Sequence, residues 1–155
     1  MDKTELERKE EKQYAIRCNY MEIAKTLAKR SYCNRLQVGC IIVKNGRIIS
    51  NGFNGTIPGF ENICETMDDK TSHSVIHAEM NTIMKLARST ESSEDGVMFV
   101  THSPCVECAK HIIQAGIREV VYEEKYRDEH GIEMLRQAGV RVNRLFTLKP
   151  KNYHE

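Results

Sequence analysis

The second half of the chain alternates between two hydrophobic periods, and this alternation constrains the fold more than any other feature. Val97 to His102 is a short, mostly apolar run of the kind a buried strand makes. Cys105 to Ala115 carries apolar residues at helical spacing, and Gly116 stands where a helix C-cap places glycine. Val120 to Tyr122 is again a strand. Glu129 to Ala138 is again a helix, followed by Gly139, and Val140 to Phe146 is a last strand. Strand, helix, strand, helix, strand predicts right-handed parallel crossovers.

The first half adds a different unit. Tyr14, Tyr20, Met21, Ile23, Ala24, Leu27 and Ala28 recur at helical spacing, which predicts a helix from about Glu10 to Lys29. Gln37 to Val43 is rich in Val and Ile. Asn45-Gly46 and then Arg47-Ile48-Ile49-Ser50 follow it, a strong short-range hairpin signal. Residues 51–75 hold four Gly or Pro among polar residues and read as a long loop, which in a compact domain is usually functional. Ala78 to Arg88 is a second helix with apolar positions at Met80, Ile83, Met84, Leu86 and Ala87. The predicted fold is α/β, with three layers α/β/α. Its mixed five-stranded sheet joins an antiparallel hairpin to a parallel βαβαβ unit, with helices on both faces.

Composition excludes several classes. The 155 residues are 40% hydrophobic, which suits a single domain over 1–155 with a real core. Residues 1–12 and 149–155 read as loosely ordered ends, the first with five acids and four bases that favour an exposed helical start. Lys and Arg number 23 against 22 Asp and Glu, a net charge of +1, so nothing draws the chain to a nucleic acid or a membrane. No apolar run could span a bilayer, and the charged N-terminus is unlike a secretory signal. A cytoplasmic location is expected. The six Cys then read as thiols or metal ligands and not as a disulfide framework.

Two stretches carry chemistry, and each opens a predicted helix. One is His77-Ala78-Glu79; the other is Pro104-Cys105-Val106-Glu107-Cys108. Cys105 and Cys108 are three apart, so both sulfurs lie on one helix face and reach one ion. A helix N-terminus favours the thiolate that binds metal. Pro104 suits that start, because its missing N–H leaves no bond unmade. One His and two Cys make three protein ligands for Zn²⁺ and keep a fourth position for water, the catalytic arrangement. Zn²⁺ brings the pKa of such a water towards neutrality. Glu79 is then placed to take the proton and return it to the substrate. A lone C-x-x-C is shared with structural zinc sites and redox pairs. A structural site would need a fourth nearby ligand, and the region between the motifs supplies only His102, itself a plausible strand residue.

The joint pattern H-x-E…P-C-x-x-C is the signature of zinc deaminases, and from about Tyr20 to Val142 the chain resembles the cytidine deaminase superfamily and, within it, the deoxycytidylate (dCMP) deaminases. The similarity rests on further blocks: Arg30 to Gly39 before the first strand, Gly52-Phe53-Asn54-Gly55 with Pro58 and Gly59, His77-Ala78-Glu79-Met80-Asn81, Cys108-Ala109-Lys110, Gln114-Ala115-Gly116-Ile117, and Tyr126 with Asp128. The resemblance implies the cytidine-deaminase-like fold and zinc-dependent deamination of dCMP to dUMP, which supplies thymidylate synthesis. It implies that His77, Cys105 and Cys108 bind the catalytic zinc, that Glu79 shuttles the proton and that Asn54 bonds the nucleoside. Phe53 departs from the usual Tyr of that block. Arg30, Arg35 and Arg127, with Tyr126, are the candidates for the nucleotide, since a monophosphate of about two negative charges needs cations or N–H donors. Ordinary surface arginine is the alternative for each Arg.

The resemblance also implies a homo-oligomer, often a hexamer, activated by dCTP and inhibited by dTTP. Many relatives hold a second zinc under the long loop, which points to a structural Zn²⁺ on Cys33, Cys64 and His73 with a fourth ligand open; two buried thiols and a surface His are the alternative. Other substrates remain as rivals: deoxycytidine, modified dCMP, guanine or tRNA adenosine. A catalytically silent zinc module is a rival of another class, though such a module needs no Glu79. Cys18, Cys40, Met80 and Met84 read as helix or core residues, and His111 and His130 as surface.

Overall fold

The structure, a computed structural model, describes residues 4–151 and 153. The predicted end positions 1–3, 152, 154 and 155 lie outside the described residues. Helix α1 spans Glu5–Ala28 and starts earlier than the apolar spacing suggests. A capping box explains the difference. The Glu7 N–H donates to the Thr4 hydroxyl (3.2 Å), and the Thr4 N–H donates to the Glu7 carboxylate (2.8 Å). Residues 5–12, expected in a loosely ordered end, are therefore helix.

Strands β1 (Gly39–Lys44) and β2 (Arg47–Phe53) form the predicted hairpin. Asn45 (φ 51°) and Gly46 (φ 73°) both take the left-handed conformation that a two-residue hairpin turn requires. The region expected as one long loop is shorter than 51–75. β2 runs on to Phe53, and β3 (Gly55–Thr56) pairs with β4 (Val75–Ile76) in a small antiparallel ribbon. Residues 57–74 form a strap closed by that ribbon.

Then come α2 (Ala78–Leu86), β5 (Val97–His102), α3 (Val106–Gln114), β6 (Glu119–Glu124), α4 (His130–Gln137) and β7 (Arg141–Arg144). The last strand stops at Arg144, short of the expected Phe146, because Leu145–Leu148 turns into a 3-10 helix.

The sheet order is β2-β1-β5-β6-β7. β5, β6 and β7 are parallel, as the alternation predicts, and β1 joins them antiparallel to β5. Side chains alternate across the pleat. Cys40, Ile42, Met98, Val100, Val120 and Val142 face α2, α3 and α4. Ile41, Val43, Phe99 and Val121 face α1 and the 3-10 turn. The result is the three-layer α/β/α arrangement with a mixed five-stranded sheet.

Two approaches fix the helices that carry the motifs. α2 and α3 pack together on one face of the sheet. Gly131 in the first turn of α4 lies against the segment that opens α3, where a Cβ would stand 2.1 Å from the Pro104 carbonyl oxygen. Only glycine lets α4 press on Pro104 and Cys105 this closely.

Candidate active site

Each motif begins its helix at the N-cap. His77 is the N-cap of α2 and Cys105 the N-cap of α3, and neither side chain is used for capping. Both turn instead towards one point. His77 Nδ1 lies 3.3 Å from Cys108 Sγ and 3.6 Å from Cys105 Sγ, and the ligand atoms of all three residues fall within 4.8 Å of one another. One imidazole and two sulfurs suit Zn²⁺, a borderline-soft ion. The electrostatics also suit a cation. A hydrogen bond from Cys108, assisted by His77 against the opposing effect of burial, lowers the Cys105 thiol to about 3. Cys105 and burial push the Cys108 thiol the other way.

Glu79 sits in the first turn of α2 and is only 5% exposed. Burial raises its carboxyl above the ordinary range. A carboxyl so tuned exchanges a proton nearer neutral pH than a solvated one.

A cavity of about 600 Å³ opens in front of these groups. His77, Ala78, Glu79 and Cys105 form its inner end. Val38 and Asn54 line one side, and Arg35, Cys33 and Cys64 line the strap side. His102, Ser103, Lys125, Tyr126 and Arg127 complete it at the carboxyl ends of β5 and β6. Parallel strands commonly present ligand sites at that end.

The candidate residues divide. Asn54 lines the cavity, but its amide is already engaged. Its Oδ1 accepts the Val38 N–H and its Nδ2 donates to the Leu36 carbonyl, each at 2.8 Å. Asn81 on α2 supports the same place by donating to the Phe53 carbonyl (3.0 Å). Arg35 lines the cavity and clamps the strap, donating to the Asp69 carbonyl and to Thr71 Oγ1 (3.0 Å). Tyr126 and Arg127 also line it, and Arg127 has no ion-pair partner among the described residues. Arg30 is not at the cavity; its guanidinium lies over the Phe53 ring, 5.6 Å from the centroid.

Cys33 and Cys64 meet as expected but in another chemical state. They are bonded to each other as a disulfide, with Cα atoms 5.1 Å apart. His73 is exposed, and among the described residues the one metal-type group is His77, Cys105 and Cys108. The two sulfurs expected to hold a second zinc with His73 are thus bonded to each other in this structure. Of the six Cys expected as thiols or metal ligands, two form this disulfide, and Cys18, Cys40, Cys105 and Cys108 are free.

Sequence reasoning missed Lys125 and Ser103, and weighed His102 only as a fourth ligand of a structural zinc or a strand residue. Lys125 adjoins the Tyr126-Arg127 block and could have been found there. The other two are marked only by their place at the end of a parallel strand.

Comparisons with known proteins agree with this geometry. The family model for the cytidine and deoxycytidylate deaminase zinc-binding region matches residues 15–124. ComE operon protein 2 of Bacillus subtilis is 40% identical over 131 residues, covering 81% of this chain and 69% of that protein. The deoxycytidylate deaminase of Enterobacteria phage T4 is 33% identical over 178 residues, covering 87% and 91%. A crystal structure of dCMP deaminase from the cyanophage S-TIM5, in complex with dCMP and dUMP, superposes with a TM-score of 0.82 at 45% identity, covering 84% of this chain and 96% of that one. With its motifs joined at one centre and its matches spanning most of the chain, this protein belongs to the cytidine and deoxycytidylate deaminase family.

Proposed function

We propose that this protein is a zinc-dependent hydrolase that converts dCMP and water to dUMP and ammonia. The observation that carries the proposal is the meeting of His77, Cys105, Cys108 and buried Glu79 at the inner end of a cavity whose mouth holds Arg127. The deoxycytidylate deaminase name of the phage T4 relative and the dCMP and dUMP bound in the cyanophage structure support that substrate.

His77, Cys105 and Cys108 are the residues that would hold the zinc. When bound there, zinc makes a water nucleophilic near neutral pH. Glu79 would take one proton of the attacking water and deliver it to N3 of the cytosine, and then carry the remaining proton from the new C4 hydroxyl to the amino group, which departs as ammonia while the C4 carbonyl forms. Its burial keeps bulk water from competing for the proton. Asn54 has one amide hydrogen left for the nucleoside after bonding Leu36. Arg127 is the first choice for the phosphate, because Lys125 is paired with Glu129 and Arg35 is occupied by the strap. Tyr126 adds a hydroxyl beside it.

The proposal extends to a cytoplasmic homo-oligomer, a hexamer, activated by dCTP and inhibited by dTTP, that supplies dUMP for thymidylate synthesis. No helix among the described residues is long and apolar enough to cross a membrane. Deamination followed by ultraviolet absorbance, with dCMP and deoxycytidine compared with and without dCTP, tests the proposal. Turnover of dCMP in preference to deoxycytidine is expected. No turnover of dCMP by zinc-loaded protein overturns it.

A further inference from the structure

His102 reads from sequence as the last residue of a strand. The structure gives it a more specific setting. It is half-buried, it lines the cavity, and one ring nitrogen, Nδ1, lies 3.1 Å from the Thr101 hydroxyl oxygen. That hydroxyl is itself buried and already accepts the Gly39 N–H (3.2 Å). A hydroxyl has one hydrogen to give, and a buried one needs an acceptor. Among the described contacts, His102 Nδ1 is the acceptor that remains. This network assigns the proton of the neutral ring to Nε2. Nε2 has no protein partner among the described residues, so an N–H donor is left for the cavity that the ring lines.

The surroundings say which part of a ligand meets it. His102 pairs with Glu124 across β5 and β6. The Ser103 N–H donates to the Glu124 carbonyl (2.9 Å), and the Tyr126 N–H donates to Ser103 Oγ (2.7 Å). His102 therefore belongs to the stitched edge that continues into Lys125, Tyr126 and Arg127. His77, Cys105 and Glu79 line the same cavity, but no hydrogen bond among the described residues joins the His102 ring to them, whereas its strand edge is bonded directly into the Tyr126 segment. The acids nearest the ring have partners of their own: Glu124 faces Arg144 (3.6 Å) and Glu123 faces Lys25 (3.4 Å). Burial lowers the pKa of the ring, which keeps it neutral with a single fixed donor.

We propose that His102 is a specificity-determining residue whose Nε2–H donates to the 5′-phosphate of the bound nucleotide, with Thr101 holding the ring in that tautomer. The inference rests on the deaminase proposed above. A neutral donor at a fixed angle selects a phosphate oxygen by direction, where a lysine attracts it by charge alone.

The test compares His102→Leu, His102→Asn and the unaltered protein. Losing a hydrogen bond to a charged group predicts a rise in KM for dCMP of about tenfold to a hundredfold in His102→Leu, with kcat nearly unchanged. His102→Asn keeps an N–H donor and should recover most of that loss. Titration calorimetry with dUMP should show the same weakening, while deoxyuridine, which lacks the phosphate, binds both proteins alike. An unchanged KM in His102→Leu overturns the proposal. So does an equal loss for deoxyuridine, or a fall in kcat that His102→Asn does not repair. If His102→Leu fails to fold, ¹⁵N spectra of the unaltered protein decide. A proton on Nε2 that shifts on adding dUMP supports the proposal, and a proton on Nδ1 overturns it. Failure of the unaltered protein to deaminate dCMP counts against the proposed function, and the response of the ring to dUMP still decides this inference.

Discussion

The cavity has two walls of opposite construction. Its inner end stands on the N-termini of α2 and α3, two helices packed on the sheet through residues such as Ala78, Cys108 and Ala109. Its outer wall is the strap 57–74, which exposes Phe60, Ile63 and Met67 and lies outside the core. Among the described residues, three links to residues 33–35 hold the strap down. They are the Cys33–Cys64 bond, the Glu65 carboxylate accepting the Asn34 and Arg35 N–H groups (2.8 and 3.1 Å), and the Arg35 guanidinium on Asp69 and Thr71. Bond making needs groups held within a fraction of an ångström, and only core packing provides that. A wall on a few peripheral links opens at lower free energy than the core, which suits substrate entry.

The largest effect should come from the inner end. Cys108→Ser is expected to abolish deamination and to take zinc content from about one per chain towards zero, measured by elemental analysis. Normal zinc with full activity would separate the metal-type group from the chemistry. Glu79→Gln should come next. It keeps the zinc and loses roughly a thousandfold in kcat, the usual reach of a general acid–base group. A Glu79→Gln protein with near-normal turnover breaks the assignment.

The outer wall should respond differently. Arg35→Ala removes one strap link and a cavity cation, so KM for dCMP should rise about tenfold while kcat holds. A matching fall in kcat would show that the two walls are not independent. Thiol titration of the denatured, unreduced protein sharpens the same contrast: four reactive thiols are expected. Six thiols with two zinc ions per chain would replace the disulfide with a metal link.

The smallest effect lies far from the cavity, where Arg17 bonds Glu119 (2.8 and 3.1 Å) between α1 and β6. Burial alone would raise the Glu119 carboxyl, but Arg17, Asn143 and Arg141 outweigh it, so its pKa is lowered. A folded value below the unfolded 4.5 means the stabilisation is complete above that pH and is lost as pH falls through the folded value. Arg17→Ala should cost about 2 kcal/mol at neutral pH and flatten the acid-side fall of the melting temperature, with kcat and KM unchanged. A change in KM would tie the opposite face of the sheet to the site.

Much of this was legible in the chain. The hairpin at Asn45-Gly46, the alternation after Val97 and the two motif helices follow from local rules, because period and turn chemistry are properties of neighbours in sequence. Even so, α1 begins at Glu5 and not near Glu10, because a capping box extends a helix whose first turns have little apolar signal.

By itself, then, the sequence determined the layers, the strand directions in the second half, and the residue types for a metal with a proton carrier beside it. The tertiary structure decided which side chains share a cavity. It set Arg30 over Phe53, turned the Asn54 amide to Leu36 and Val38, paired Cys33 with Cys64 across 31 positions, and brought His102 to the edge that carries Arg127. Spacing along a helix or strand is fixed by backbone geometry that each segment carries within itself. Convergence of distant segments is fixed by sheet order and core packing, which exist only once the whole chain is folded.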